Sequence, residues 1–240
     1  MDLARRYPFP WHGARFWRHA AASAAVLAGV LLALVAVVPR LPFLREPASR
    51  GAVPQAQGWW QRYRNETDRY VLALPPDWRV LPLDPEAVPA PGESASPAEA
   101  EVLARLAEAA REQRAAGWGV WAAAAPDHPL GDATTLNVIR QPLGRPISAE
   151  EFARASLASL KEVAGPLTRY SQEWLSLTPG KALRVKAVVR PASDGREFTL
   201  VQYYLVRGSD GYVITGIAPA GEGRQIDTFE AIVRSLRWTV

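Results

Sequence analysis

The sequence predicts an α+β domain, an antiparallel sheet with helices packed on it, hung from one transmembrane helix. Three observations predict it. Residues 20–38, AAASAAVLAGVLLALVAVV, run for nineteen positions without a charge. From Tyr170 to Ala218 the chain reads as four strands joined by tight turns. Between and after the strands lie segments with helical spacing, two of them opened by capping boxes at Ser96 and Ser148.

The span comes first. A helix of that length reaches about 28 Å, close to the ~30 Å hydrocarbon core of a bilayer, and it is longer than a signal-peptide core of about 7–15 residues. Residues 1–19 form a basic tail with Tyr7, Phe9, Trp11, Phe16 and Trp17, the pattern of an interfacial aromatic belt. Four Arg precede the span (Arg5, Arg6, Arg15, Arg18) and three follow it (Arg40, Arg45, Arg50). That bias places the N-terminus in the cytoplasm and the rest outside, as a signal anchor in the cell membrane. The first fifty residues carry a net charge of +5, which leaves −1 for the rest of a chain whose total is +4. The basic excess therefore faces lipid headgroups, and the folded part lacks the electrostatic footprint of a nucleic-acid binder.

Residues 39–69 read as a linker. Pro and Gly punctuate its first half, and its second half, WWQRYRNETDRY with Tyr70, is dense in aromatic and charged side chains suited to a headgroup surface or a partner. The domain is expected over 70–240. Tyr70–Leu74 is a strand that continues at Trp78–Leu81 after a turn at Pro75–Asp77. A loop rich in Pro, Ala and Ser leads to a helix from Ser96 to Ala116, with Val102, Leu103, Leu106 and Ala110 on its apolar face and Gly117 ending it. Trp118–Ala125 and Thr134–Arg140 are strands. The second capped helix buries Phe152, Leu160 and Val163 and stops at Gly165-Pro166.

The strands that follow are Tyr170–Leu177, Lys181–Arg190, Phe198–Val206 and Tyr212–Ala218. In the second, Leu183, Val185, Ala187 and Val189 face one way and Arg184, Lys186 and Arg190 the other. Phe198–Val206 is apolar on both faces apart from Gln202, as a central strand is. A last helix carries Ile226, Phe229, Val233 and Leu236, and Arg237–Val240 is a short final strand.

Candidate chemistry is sparse. The chain has no Cys and three His, so disulfides, thiolate metal sites and an acylated Cys anchor are excluded. His128 is the one His of the folded region; with Asp127 and Asp132 it lies in a Pro/Gly loop, where solvated turn residues outweigh a metal site. No zincin, serine-hydrolase, Walker or dinucleotide motif is present. The Gly221–Arg224 stretch before the last helix reads as a loop rather than an anion site. The sequence therefore predicts no catalytic residue, no metal, no cofactor and no enzyme. Binding falls to two surfaces: the aromatic stretch Trp59, Trp60, Tyr63, Tyr70, and the basic face Arg184, Lys186, Arg190.

The order of motifs resembles the PsbP-like superfamily, which includes photosystem II PsbP, a Ran-binding import-regulator family and bacterial DcrB envelope proteins. The resemblance rests on YVLALPPDW (Tyr70–Trp78), TTLNVI (Thr134–Ile139), SAEEFARASLASL (Ser148–Leu160), GKALRVKAVV (Gly180–Val189), the Gln202-Tyr203-Tyr204 strand, DGYVITG (Asp210–Gly216) and FEAIVRSLRW (Phe229–Trp238). It implies an α-β-α sandwich and a mostly non-enzymatic module that docks to protein partners. The Ser96–Ala116 helix and the span depart from that pattern, and no metal or Ran-contact residue carries over. The expectation is a single-pass, extracytoplasmic binding or scaffold module of a bacterial envelope complex. A ligand carrier or enzyme with a pocket between sheet and helices is the alternative, and a photosystem accessory protein is implied by the resemblance alone.

Overall fold

Ten-residue strands made of β-branched, aromatic and small apolar residues build the centre of the molecule. β6 (Thr168–Leu177), β7 (Gly180–Val189), β8 (Phe198–Arg207) and β9 (Asp210–Pro219) follow one another as antiparallel hairpins. Gly208, at φ +60°, supplies the left-handed residue of the two-residue β8–β9 turn. β9 then pairs with β5 (Thr135–Pro142), which pairs with β4 (Gly119–Ala124) and through it with β3 (Arg79–Val80). The result is a seven-stranded sheet in the order β3-β4-β5-β9-β8-β7-β6. A second sheet of three strands joins β1 (Gln61–Asn65), β2 (Tyr70–Leu74) and β10 (Arg237–Trp238), with β2 in the middle.

This computed structural model describes residues 60–84, 97–125, 134–164, 167–190 and 196–239. The expected tail 1–19, the span 20–38, most of the linker, Trp59, Ser96 and the loop of His128 lie outside the described residues, as does the Val163 side chain. Among the described residues, no helix is long and apolar enough to cross a membrane.

The large sheet has a core on each face. One core takes Leu183, Val185 and Val189 of β7 with Phe198, Leu200 and Tyr204 of β8, and is roofed by two helices. These are α1 (Pro97–Ala115), which packs on β4 through Val102, Leu103, Leu106 and Ala110, and α2 (Ala149–Ala164), which packs on β7 and β8 through Phe152 and Leu160. The Ser148 hydroxyl accepts from the Glu151 amide at 3.0 Å, as its capping box predicts. Glu151 does not complete the box; its carboxylate pairs with Arg145 instead. Gly117, at φ +83°, ends α1 where the sequence places the stop.

The other core takes Val201, Tyr203 and Leu205 with Tyr212 and Ile214. It is covered by α3 (Gly223–Ser235), through Ile226, Phe229, Ile232 and Val233, and by the small sheet through Tyr70, Leu72 and Leu74. The fold is α+β with the large sheet in the middle layer, and one outer layer is half helix and half sheet.

Two expectations need correcting. The domain does not begin at Tyr70: residues 61–65, expected in the linker, pair with β2 in register from Gln61 opposite Leu74 to Asn65 opposite Tyr70. Only Tyr63 and Asn65 of β1 are even partly buried, so its apolar signal is too thin for periodicity to detect. The strand expected at Trp78–Leu81 shrinks to Arg79–Val80, because Trp78 turns into the core and stands edge-on to Phe229.

Candidate functional site

The hairpin that β1 and β2 form is pinned to the large sheet by Asp68. The turn from Glu66 to Arg69 closes locally: the Asp68 amide donates to Asn65 Oδ1 at 2.8 Å, and Arg69 takes φ +57°. This drives the Asp68 side chain inward until it is 4% exposed. Its Oδ1 accepts from Arg140 Nε of β5 at 2.8 Å, and its Oδ2 from Asn65 Nδ2 at 3.1 Å. Arg140 Nη1 also reaches Asp210 at 3.1 Å. Burial by itself lowers the Arg140 pKa, but the bonds to Asp68 and Asp210 outweigh it and hold the guanidinium above its usual value. Tyr212 completes the clasp by donating its hydroxyl to the Asp68 carbonyl at 3.0 Å. Gly119 is required beneath it, since a Cβ there would lie 2.0 Å from Asp68 Oδ1.

The clasp forms one end of a groove of about 350 Å³. Its walls are β1 and the hairpin turn on one side and the segment 80–84 on another. Arg114 and Trp118, at the end of α1, and Gly119–Trp121 of β4 close it. Three aromatic side chains line it: Tyr63, Trp118 and Trp121. Tyr63 lies over Trp121 with ring centres 4.7 Å apart. Burial first, then the Asp68 carboxylate, raises the Tyr63 pKa, against the opposing pull of Arg114. The Arg114 guanidinium donates to the Leu83 carbonyl at 3.1 Å. Val80, at the rim, is 43% exposed, one of three large hydrophobic side chains so exposed among the described residues. Trp121 is 3% exposed, and its indole N–H has no hydrogen-bond partner among the described residues. A buried donor left unpaired costs about 1–3 kcal/mol.

Both oxygens of Asp68 are engaged, so its carboxylate serves as scaffold. Among the described residues, no three His, Cys, Asp or Glu side chains gather as a metal site.

Of the residues singled out in the sequence, Tyr63 lines this groove and Trp60 packs partly buried on the core beside it. Tyr70 is fully buried, with its hydroxyl taking a bond from Asn65. Burial pushes its pKa well up. It is a core residue and presents no surface. Arg184, Lys186 and Arg190 lie on the face opposite Leu183, Val185 and Val189, and they differ in how they are engaged. Arg184 is 22% exposed and bridges Glu173 and Glu230, fastening β6 and α3 to β7. Arg190 pairs with Glu197 at 2.6 Å, and Lys186 is exposed. Trp118, Trp121 and Val80 were read only as strand residues. The signal available for them was the Trp-x-x-Trp spacing just after a helix stop.

No protein-family model matches the chain, and no curated protein matches it. Solved structures do show likeness. A protein from Bacteroides thetaiotaomicron VPI-5482 is 11% identical with a TM-score of 0.37; the likeness covers 75% of this chain and 49% of that one, about half its length. Cyanobacterial PsbP (CyanoP) from Synechocystis sp. PCC 6803 is 13% identical with a TM-score of 0.44, covering 80% of this chain and 98% of that one. LpqN, involved in cell envelope biogenesis of Mycobacterium tuberculosis, is 12% identical with a TM-score of 0.39, covering 75% and 90%. A PsbP thus stands among the structural neighbours. At these scores the likeness carries no argument about function.

Proposed function

We propose that this chain is a non-enzymatic binding module tethered to the membrane by residues 20–38 and displayed outside it, and that the groove beside Tyr63 is where it holds a partner protein of the envelope. The observation that supports this reading is the aromatic lining of the groove, Tyr63, Trp118 and Trp121, with Val80 exposed at its rim. An extended segment of a partner fits such a groove. An apolar side chain covers Val80 and packs on Tyr63 and Trp118. Aromatic anchors of this kind dominate the energetics of protein interfaces.

The test is co-purification from solubilised envelopes. Tyr63→Ala with Trp118→Ala removes the groove walls, while Lys186→Glu with Arg190→Glu reverses the basic face. The groove pair should lose the partner and the basic pair should keep it. Loss only with the basic pair would move the interface to β7 and overturn the reading. A second reading, a small-ligand carrier, is favoured by the groove's volume, which lies near the lower end of the 300–1,000 Å³ range of small-molecule pockets. Mass spectrometry of the protein under native conditions, showing a bound mass that Tyr63→Ala with Trp118→Ala removes, would support it.

A further inference from the structure

Among the described residues, no strand pairs with the outer side of β6, the last strand of the large sheet. β6 is ten residues long, and eight of them are exposed. Edge strands of this length are normally blunted by Pro, Lys or a covering element. β6 has neither Pro nor Lys, and carries Ser171, Gln172, Glu173 and Ser176 between its apolar residues. Two large hydrophobic side chains stand out from it: Tyr170 is 41% exposed and Trp174 is 49% exposed. Both lie on the helix-roofed face, since Trp174 pairs with Leu183 and Gln172 with Val185, while Tyr170 donates to Gln172 at 3.0 Å. A bulge at Arg169, φ +49°, shifts the pairing with β7 between Thr168 and Ser171.

The spacing is self-complementary. Two copies of β6 laid antiparallel about a two-fold axis perpendicular to the sheet keep the same face up, so each residue meets one of equal parity. With the axis at Gln172, Tyr170 of each copy lies opposite Trp174 of the other, and Ser171 lies opposite Glu173. This register covers both exposed aromatics at once as cross-strand pairs and places no like charges opposite one another. The geometry points to a homodimer in which β6 edges join two large sheets into one, with Gln172 on the axis. The occupant of this edge is a second copy of the chain.

The absence of cysteine gives a direct test in the full chain in detergent. At the axis the two residues 172 have Cα atoms about 4.5–5.5 Å apart, within disulfide range. The two residues 176 lie eight positions apart along the strands, about 27 Å. Under mild oxidation Gln172→Cys should form a covalent dimer and Ser176→Cys should remain monomeric. Adding Tyr170→Glu and Trp174→Glu to Gln172→Cys should cut the dimer yield about tenfold. No dimer from Gln172→Cys, equal dimer from both cysteines, or dimer from Ser176→Cys alone would each overturn the proposal. Dimerisation through the N-terminal segment would not produce this position dependence.

Discussion

Removing the Asp68 carboxylate tests whether the clasp holds the small sheet to the large one. Asp68→Ala deletes the bonds to Arg140 and Asn65. Hydrogen bonds to charged groups are worth about 1.5–3 kcal/mol each. Arg140 keeps Asp210 and is 21% exposed, so water and one carboxylate soften the loss. The net cost is about 2–4 kcal/mol. For a domain of this size, about 3 kcal/mol lowers Tm by about 6–12 °C. Gly119→Ala should cost a similar amount by a different route, because its Cβ would occupy the carboxylate's place, 2.0 Å from Oδ1. The two losses share one cause, so they should not add. On the Asp68→Ala background the collision is gone, and Gly119→Ala should be neutral or stabilising by about 0.5 kcal/mol. The assay is thermal unfolding of the four proteins, followed by near-ultraviolet circular dichroism. Additive losses would refute the clasp as the reason Gly119 must be glycine.

Three further outcomes follow from the packing and charge. Phe229 is fully buried against Gly216, where a Cβ would meet its ring at 2.5 Å; Phe229→Ala should cost about 3–5 kcal/mol in urea unfolding, and Gly216→Val should be comparably severe. Burial raises the pKa of Tyr63, Tyr70, Tyr203, Tyr204 and Tyr212, the last to about 12. A pKa raised on folding gives stability that is complete below the unfolded value near 10 and lost as pH rises through the folded value, so unfolding free energy should fall steeply between about pH 10 and 12 and phenolate absorbance should rise together with unfolding. Trp121→Phe removes a buried donor that has no partner among the described residues, so thermal unfolding should show stability held or raised by about 1 kcal/mol; a clear loss would contradict that account of the indole.

Much of the fold was legible because the signals are local. The β6–β9 hairpins announce themselves through turns at Thr178-Pro179 and Gly208-Ser209, and the α3 face through Ile226, Phe229 and Val233. The strand order was not legible. That β9 inserts between β5 and β8 depends on pairings between residues such as Asn137 and Thr215, nearly eighty positions apart, which no short-range pattern encodes. β1 was missed for want of apolar residues, although the Asn65–Asp68 turn ahead of Tyr70 carried a hairpin signal. The site was legible only in part. Tyr63, expected in an aromatic partner-binding stretch, lines the groove, whereas Tyr70 looked like surface because aromatic density does not reveal which side of a strand faces the core. Arg184 looked like a docking cation because its partners Glu173 and Glu230 come from two other elements.

The most direct test of the groove as the binding surface is photo-crosslinking in native membranes. A benzophenone side chain replaces Val80, at the groove rim, or Arg154, exposed on α2. The account predicts a single protease-digestible adduct from position 80, none from position 154, and loss of the adduct when Tyr63 and Trp118 are changed to Ala. An absent adduct at position 80, or the same adduct from both positions, would contradict it.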